Sequence, residues 1–280
     1  MATNNAVLIL IVLYKQNLED SSSYKSLCQN IDSISFPYEV LVYNNTPSIK
    51  IPESDFYAVF NSSENQMLVG AYNYALEVSR KKKFDWLLLL DQDTQLTSQY
   101  FLELSNSLNS VSEGVGAILP SVISANIKIS PMILSKFFGP FGIKKPYSGT
   151  EDLKKTEYVS GINSATILRT KAITKIGGFS KDFPLDFSDH WYFFRLYQLG
   201  YSVNCLRVAI NHDLSVAKSY NPMGVKRYIQ YLEARYLFAK KTSFSVMLAL
   251  KLRSIIQCIS QLLKKSERKF FFHTFRAIFR

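Results

Sequence analysis

Two carboxylates directly follow the most apolar segment of the sequence. Residues 84–90 read FDWLLLL, which is typical of a fully buried strand, and Asp91-Gln92-Asp93-Thr94 comes next. If the chain stays extended there, Asp91 and Asp93 point to the same side. Together they would offer the hard oxygen ligands that Mg²⁺ or Mn²⁺ prefers, usually alongside phosphate oxygens. The alternative is a solvated turn or a helix N-cap.

A second pair of acids opens an aromatic segment. Residues 186–195 read DFSDHWYFFR, and on a helix Asp186 and Asp189 share one face because they are three residues apart. A carboxylate in a cleft serves as a general base when burial or a neighbouring charge tunes its pKa. The alternative is that these acids only cap the helix, with the aromatic residues in the core.

His212 is the one histidine of three that follows a predicted strand, residues 202–210. That position makes it a candidate metal ligand or phosphate contact. A structural role in a turn is the alternative.

Alternating strand and helix patterns must position these side chains. Short apolar runs predict strands at residues 6–13, 38–43, 56–61 and 84–90, with helical segments between them. This order predicts an α/β fold with a mainly parallel sheet and helices on both faces. Ligands of such sheets bind beyond the carboxyl ends of the strands, so we expect functional residues at Tyr14, Asn44 and Asp91.

The second half of the chain continues less regularly. Strand patterns recur at residues 114–122, 162–169 and 202–210, and a helix is predicted at residues 188–199. Residues 126–157 contain prolines, glycines and lysines, which predicts a long irregular excursion that covers a site. Residues 222–280 are predicted to be mainly helical.

Length and composition exclude several classes of protein. The chain has 280 residues, 47% hydrophobic and 20% charged, as in ordinary globular proteins rather than disordered ones. The net charge is +11, but residues 240–280 hold ten basic residues against one acid and so contribute +9. The near-neutral remainder shows no basic stripe of the kind that nucleic-acid-binding proteins carry.

Other signatures argue against further classes. Cys28, Cys205 and Cys258 are odd in number and far apart, which indicates neither a disulfide framework nor a zinc site and fits a reducing compartment. The sequence lacks the glycine-rich motif of dinucleotide enzymes, the P-loop and the serine-hydrolase elbow. We expect no signal peptide, because residues 1–5 lack a basic region and no small-residue cleavage pattern follows the apolar run. We expect no membrane span, because Lys251 and Arg253 interrupt the best apolar stretch.

Taken in order, the motifs resemble the family 2 glycosyltransferases, which are GT-A nucleotide-sugar enzymes, and especially their bacterial rhamnosyltransferase-like branch. The resemblance covers roughly residues 6–240, and Asp91-Gln92-Asp93 after a leucine-rich strand is the form typical of the rhamnosyltransferases. The matching segments are Val12-Leu13-Tyr14, Val42-Tyr43-Asn44-Asn45-Thr46, 61–75, 86–94, Ser160-Gly161, Gly177-Gly178-Phe179, 185–195 and His212-Asp213-Leu214-Ser215.

The resemblance implies a role for each matching residue. Asp189 would be the catalytic base of an inverting single displacement. Asp91 and Asp93, with His212, would hold Mg²⁺ or Mn²⁺ at the donor diphosphate. The donor-binding residues would be Tyr14, Asn44, Asn73, Asp91 and Gln92.

The chain departs from the family pattern at three positions. Asn44 stands where the family usually has Asp for recognition of the base, Met67 where it usually has Gly, and Trp191 where it often has an acid. These departures bear on donor specificity and not on the fold. They also keep open a scaffold that has the fold without the activity.

The resemblance implies a cytoplasmic enzyme of surface-polysaccharide synthesis, O-antigen included. The first donor to test is dTDP-rhamnose, with a UDP-hexose or UDP-galactofuranose as alternatives, and the acceptor would be a lipid-linked saccharide. We predict a GT-A domain over residues 1–240 and a basic amphipathic helical tail over residues 241–280. In that tail Phe271, Phe275 and Phe279 recur every four residues among basic residues, which favours binding to the anionic inner face of the cell membrane. Packing of the tail on the catalytic domain is the alternative.

Overall fold

A mixed sheet of eight strands forms the centre of the molecule. The computed structural model describes residues 5–124, 126–211 and 224–280. The strands of the described residues are β1 (Val7–Leu13), β2 (Tyr38–Asn44), β3 (Ala58–Asn61), β4 (Trp86–Asp91), β5 (Val115–Ser124), β6 (Ile127–Ser130), β7 (Met132–Ser135), β8 (Lys145–Pro146), β9 (Glu157–Ser160), β10 (Thr166–Arg169) and β11 (Ser202–Asn211).

The central sheet is mostly parallel, as predicted. Its strand order is β11-β5-β10-β4-β1-β2-β3, with β6 paired to β5. β1 runs parallel to both β2 and β4, and β11 runs parallel to β5. β10 lies antiparallel between β4 and β5, a direction that the apolar pattern of residues 162–169 did not reveal.

Helices cover both faces of this sheet. They are α1 (Ser22–Gln29), α2 (Met67–Lys82), α3 (Ser98–Ser110), α4 (Thr170–Ile176), α5 (Ser188–Gln198), α6 (Val225–Thr242), α7 (Phe244–Leu263) and α8 (Phe271–Ile278). Short 3₁₀ segments lie at Leu18–Asp20, Ile31–Ser33 and Lys265–Phe270.

Strict alternation along β1 produces two cores. Ile9 and Ile11 pack on one face with side chains of α1 and α3, whereas Leu8 and Leu10 pack on the other face with side chains of α2, α4 and α5. Successive side chains of a strand point to opposite faces, so a strand covered on both sides must be apolar throughout. Each of these fully buried aliphatic side chains stabilises the fold by roughly 2 kcal/mol.

Residues 126–157 are more regular than the sequence predicted. β7 pairs antiparallel with β8 and β9, which forms a second sheet of three strands. The expectation of an irregular excursion holds for residues 136–144 and 147–156 but misses these strands. One partner of β7, β9, lies more than 20 residues away, and local patterns do not reveal such a pairing. This small sheet stands beside α5 and contributes Leu134 and Tyr158 to a third core.

The last three helices pack on the third core and on one another. Phe238 of α6 and Val246 of α7 contact the aromatic side chains of α5 and the small sheet. The hydroxyl of Tyr228 on α6 accepts hydrogen bonds from Gln257 and Gln261 of α7 and pairs with Thr274 of α8. α6 ends at Thr242, so the predicted boundary at residue 240 lies within its last turn.

α7 leaves one side apolar and exposed. Val246, Leu250, Cys258 and other side chains on one side are buried. The opposite side, hereafter the α7 apolar face, consists of large residues between 45% and 84% exposed: Phe244, Leu248, Leu252, Ile255, Ile256, Ile259, Leu262 and Leu263. By length and hydropathy alone α7 would be able to cross a membrane, and about a third of its most apolar window is buried in the protein.

Candidate functional site

The loops that follow β1 and β4 are tied together at the carboxyl edge of the sheet. The backbone N–H of Tyr14 donates to Oε1 of Gln92 over 2.7 Å. The hydroxyls of Ser21 and Ser23 donate to the carbonyls of Gln92 and Asp91. Tyr14 itself stays exposed, with the Lys15 ammonium 5.2 Å from its ring centre. Gln92 therefore fixes the loop that presents Tyr14.

The chain turns immediately after Asp91. β4 ends at Asp91, and the N–H of Thr94 donates to the Asp91 carbonyl over 3.1 Å. The extended backbone considered for Asp91-Gln92-Asp93 is thus wrong, because the next residues form a turn whose Thr94 is buried against Ser164. Asp91 is partly buried and Asp93 is exposed on this turn. The Tyr72 hydroxyl donates to Oδ1 of Asp91 over 3.4 Å.

Asn44 is buried, and both the nitrogen and the oxygen of its side-chain amide form hydrogen bonds within the protein. Its Nδ2 donates to the carbonyls of Thr46 and Ile49 and to Oδ1 of Asn61, and its Oδ1 accepts from the N–H of Thr46. The side chain is fully inaccessible to solvent. Asn44 thus lies at the predicted strand end, and its amide shapes the turn.

Asn73 joins two segments that are far apart in the sequence. Its Oδ1 accepts from the N–H of Phe179 and its Nδ2 donates to the Phe179 carbonyl, both over 2.9 Å. Gly178 permits this pairing because it has a φ of +85° and a Cβ there would lie 2.8 Å from Oδ1 of Asn73. Asn73 also lines a second, smaller cavity with Tyr43 and Lys181.

Asp91 and Asp189 line the same cavity, hereafter the central cavity, which has a volume of about 720 Å³. It lies between the carboxyl edge of the sheet, the small sheet and the last helices. The polar groups around the acids come from several segments: Ser160, Asn163, Ser164, Asp186 and His190. Asp186 and Asp189 both line this cleft, but Asp186 precedes α5, so the two acids do not share a helix face as the prediction assumed.

Asp189 lies deep in the central cavity, on the first turn of α5. Burial raises the pKa of its carboxyl to about 6, against a hydrogen bond from the His190 N–H and the charge of Lys144, which both lower it. Solvent still reaches part of the side chain through the cavity. A carboxylate with this pKa is largely ionised at neutral pH and is a stronger base than an ordinary Asp, as a general base requires.

The neighbouring acid has a fixed partner. The Arg227 guanidinium of α6 binds the Asp186 carboxylate through two nitrogens, with 2.7 Å between Nη2 and Oδ1. This fork-to-fork geometry is the strong form of an ion pair. Asp186 is thus neutralised by α6, while Asp189 faces the cavity.

His190 is a cavity residue that the sequence did not single out. Burial lowers the pKa of its imidazole to about 3, so it is neutral at physiological pH. Its Nδ1 lies 2.9 Å from the Ser160 hydroxyl. The available signal was its position directly after Asp189, since both residues belong to the first turn of α5 and both line the cavity.

The predicted metal ligands are only partly covered by the structure. His212 lies outside the described residues. Within the described ranges no group of three or more His, Cys, Asp or Glu side chains converges on one point. Asp91 lines the central cavity and Asp93 lies on the exposed turn that follows β4. Their hard carboxylate oxygens are of the type that Mg²⁺ and Mn²⁺ take.

Solved structures are similar to this chain in fold, whereas comparison of its sequence with protein families and curated proteins finds no match. A crystal structure of S. aureus TarS, 1–349, has a TM-score of 0.53 at 12% identity and covers 95% of this chain and 88% of its own.

Two further solved structures are similar to the chain. The mannosyltransferase PcManGT from Pyrobaculum calidifontis, in complex with GDP-Man and Mn²⁺, has a TM-score of 0.52 at 11% identity and covers 97% of this chain and 84% of its own. GalNAc-T7 with UDP, GalNAc and Mn²⁺ has a TM-score of 0.53 at 11% identity and covers 84% of this chain and 50% of its own. At these identities the likeness shows the fold: the chain has the predicted GT-A fold with C-terminal helices.

Proposed function

We propose that this protein is a nucleotide-sugar glycosyltransferase that works by an inverting single displacement. The observation that carries the proposal is that Asp91, at the carboxyl end of β4, and Asp189, on α5, line one central cavity of a GT-A fold. The donor-bound neighbours support it, since they hold GDP-Man, or UDP with GalNAc.

The proposed chemistry assigns the proton to Asp189. An acceptor hydroxyl attacks the anomeric carbon of the donor while the bond from that carbon to the diphosphate oxygen breaks. The carboxylate of Asp189 takes the proton of the attacking hydroxyl, which its raised pKa favours. The nucleoside diphosphate leaves with the bonding electron pair.

A divalent cation fits the donor side of the site. Asp91 and Asp93 would hold Mg²⁺ or Mn²⁺, with His212 as the third predicted ligand, and two of the similar structures contain Mn²⁺. When bound, the cation offsets the charge that develops on the diphosphate. Gln92 contributes by holding the Tyr14 loop, and Asn44 by shaping the turn on which the nucleobase would rest.

The donor that we would test first is dTDP-rhamnose, on the form of the Asp91-Gln92-Asp93 motif. A UDP-hexose and UDP-galactofuranose are the alternatives within the same chemistry. A scaffold that has the fold without catalysis is the second candidate function, and it is favoured by Met67 and Asn44, which depart from the family pattern in donor-binding segments.

Donor turnover separates the enzyme from the scaffold. We expect hydrolysis of at least one nucleotide sugar that requires Mn²⁺ or Mg²⁺, and a drop of at least about a hundredfold in Asp93→Ala because the cation loses a ligand. Asp55→Ala is the matched control, since Asp55 is an exposed acid away from the cavity. Absence of metal-dependent turnover and of thermal stabilisation by every donor tested would favour the scaffold.

We further propose that the enzyme works on a lipid-linked saccharide at the cytoplasmic face of a bacterial membrane. The support comes from the α7 apolar face, flanked in sequence by Lys240 and Lys241 on one side and Lys264 and Lys265 on the other. Apolar residues rimmed by cations suit an anionic lipid leaflet. The predicted tail face adds Phe275 and Phe279, which are also exposed.

A further inference from the structure

Four cationic side chains line the central cavity. Its lining includes Lys128 of β6, Lys144 of the β7–β8 loop, Arg235 of α6 and Arg253 of α7. Of the proposed donor contacts Asp91 lines this cavity, whereas Tyr14, Asn44 and Asp93 do not. Four cations from four separate segments therefore line a space to which only Asp91 of the proposed donor contacts contributes. One of the four, Lys128, already donates to the Tyr147 carbonyl over 2.6 Å.

Arg235 is the most informative of the four. Its side chain is only 3% exposed, and its guanidinium donates to Oε1 of Gln257 over 2.6 Å. The rings of Phe141 and Tyr231 lie 5.6 and 5.5 Å from it. Across residues 5–124, 126–211 and 224–280, no carboxylate forms a salt bridge with Arg235. A buried guanidinium without a carboxylate is costly unless an anion completes its surroundings.

Lys144 and Arg253 stand close to this guanidinium. The side chain of Lys144 is exposed at the cavity. Partial desolvation there lowers the pKa of its ammonium, the charges of Arg253 and Arg235 lower it further, and Asp189 opposes the shift. Three like charges that repel one another are retained beside the proposed base. An anionic group bound among these cations would offset their mutual repulsion.

We propose that Lys144, Arg235 and Arg253 form a subsite for a phosphate or diphosphate group of the acceptor. The inference rests on the proposed function in one respect, because it places the acceptor hydroxyl at Asp189 and the acceptor anion beside it. Arginine forks and a lysine ammonium match phosphate oxygens in geometry and charge. The substrate class is then a phosphorylated acceptor, either a membrane headgroup or a soluble phosphate ester.

Binding of inorganic pyrophosphate to the full chain in EDTA tests the subsite without the donor metal. We expect calorimetry to show binding that is weakened roughly ten- to a hundredfold in Lys144→Ala and in Arg253→Ala, the loss of one charge-assisted hydrogen bond each. Lys145→Ala is the matched control, since Lys145 does not line the cavity, and it should bind as the wild type. Arg235→Gln is measured as well, but the exposed pair keeps the test valid if that buried variant does not fold.

The source of the anion is distinguished by farnesyl diphosphate and farnesol. Tighter binding of farnesyl diphosphate than of pyrophosphate would identify a lipid headgroup, and equal binding would identify the phosphate alone. Farnesol that binds as well as its diphosphate, or pyrophosphate that binds Lys144→Ala and Arg253→Ala as it binds the wild type, would overturn the subsite.

The two proposals fail in different ways. Metal-dependent donor turnover without charge-dependent pyrophosphate binding would overturn the subsite alone. Pyrophosphate binding that depends on Lys144 and Arg253 in a protein without donor turnover would overturn the proposed function and keep the anion site.

Discussion

Asp189 and Asp186 lie three residues apart and have opposite surroundings. Asp186 is held by the two nitrogens of Arg227, whereas Asp189 faces the central cavity with a pKa raised to about 6 by burial. The folded state therefore binds the Asp189 proton more tightly than the unfolded state, whose pKa is near 3.8. The ionised carboxylate of Asp189 therefore lowers the stability of the folded state at neutral pH.

Asp189→Asn should separate stability from activity. The free energy of unfolding of the wild type falls between about pH 4 and pH 6 through this group, so the variant should be more stable at pH 7.5 by roughly 1–3 kcal/mol and nearly equal below pH 4. Sugar transfer should drop by about 10²–10⁴-fold while donor binding persists. Wild-type transfer should lose one decade per pH unit below about pH 6.

Asp186→Asn is the control for this prediction. It removes the partner of Arg227 and should lower the stability at pH 7.5, opposite in sign to the Asp189 variant. Full transfer activity in Asp189→Asn would remove Asp189 as the base. Denaturation curves at pH 7.5 that coincide with those of the wild type would contradict its raised pKa.

Sequence patterns located the acids but not the cations. Asp91, Asp186 and Asp189 stand at strand and helix ends, where the pattern of elements brings them to one cavity. Lys144, Arg235 and Arg253 lie on three elements without a local motif, so only tertiary packing joins them. Asn44 lies at the end of β2, as predicted, but its side-chain amide forms hydrogen bonds with Ile49 and Asn61 of the protein itself.

Two residues at the starts of helices have a positive φ, which is rare for residues other than glycine. Met67, which stands where the family usually has Gly, has a φ of +57°, and Phe187, next to the base-bearing helix, has a φ of +64°. Left-handed residues other than glycine cost about 1 kcal/mol or more and persist where the surrounding structure holds them. Both lie at the first turn of a helix that lines the site, which gives the family pattern at residue 67 a physical reason.

At the scale of elements, the contact between α2 and the loop after α4 aligns the two motif segments. Gly177 and Gly178 both have φ in the left-handed region, but only Gly178 has Asn73 within reach of a Cβ. The pair thus separates the cost of backbone conformation from that of close approach.

Gly178→Ala should destabilise the protein by about 2–4 kcal/mol, since it adds the left-handed strain to the loss of the Asn73–Phe179 hydrogen bonds. Gly177→Ala should cost only about 1–2 kcal/mol, because nothing lies within 4 Å of its Cβ. Gly114→Ala, with neither feature, should change the stability by less than about 1 kcal/mol. Urea denaturation measures all three, and equal effects of Gly177→Ala and Gly178→Ala would contradict the role of close approach.

Elements were easier to predict than their pairing. The strands of the first half follow one another in the sequence and in βα units, so the apolar runs implied a parallel sheet. β10 and the β7–β8–β9 sheet depend on partners that are not neighbours in sequence. Periodicity reveals a strand but not its direction or partner.

At the scale of the whole molecule, the charge and the exposed apolar surface coincide in the C-terminal helices. Residues 240–280 carry +9 of the net +11, and α7 presents its apolar face in the same segment. The helices also pack on the third core, through Phe238 and Val246. Packing and membrane binding are therefore compatible, since they use opposite sides of α7.

Vesicle flotation tests the proposed membrane contact. A variant with Leu252, Ile256 and Ile259 replaced by Ser should lose at least about tenfold of its binding to vesicles of phosphatidylglycerol and phosphatidylcholine, because each side chain buries apolar area in the leaflet. Leu102→Ser, at an exposed apolar residue of α3, is the control. Salt should weaken wild-type binding. Unchanged flotation, with a dimer that becomes a monomer in the variant, would make the α7 apolar face a self-association surface instead.

Arg253 and Gln257 line the central cavity from the same helix whose other side forms the α7 apolar face. If both proposals hold, α7 would set the depth of the proposed acceptor subsite relative to the lipid surface. Reaction would then occur in two dimensions: the velocity would follow the mole fraction of acceptor in the bilayer. Diluting the acceptor with inert lipid at constant bulk concentration would slow the enzyme.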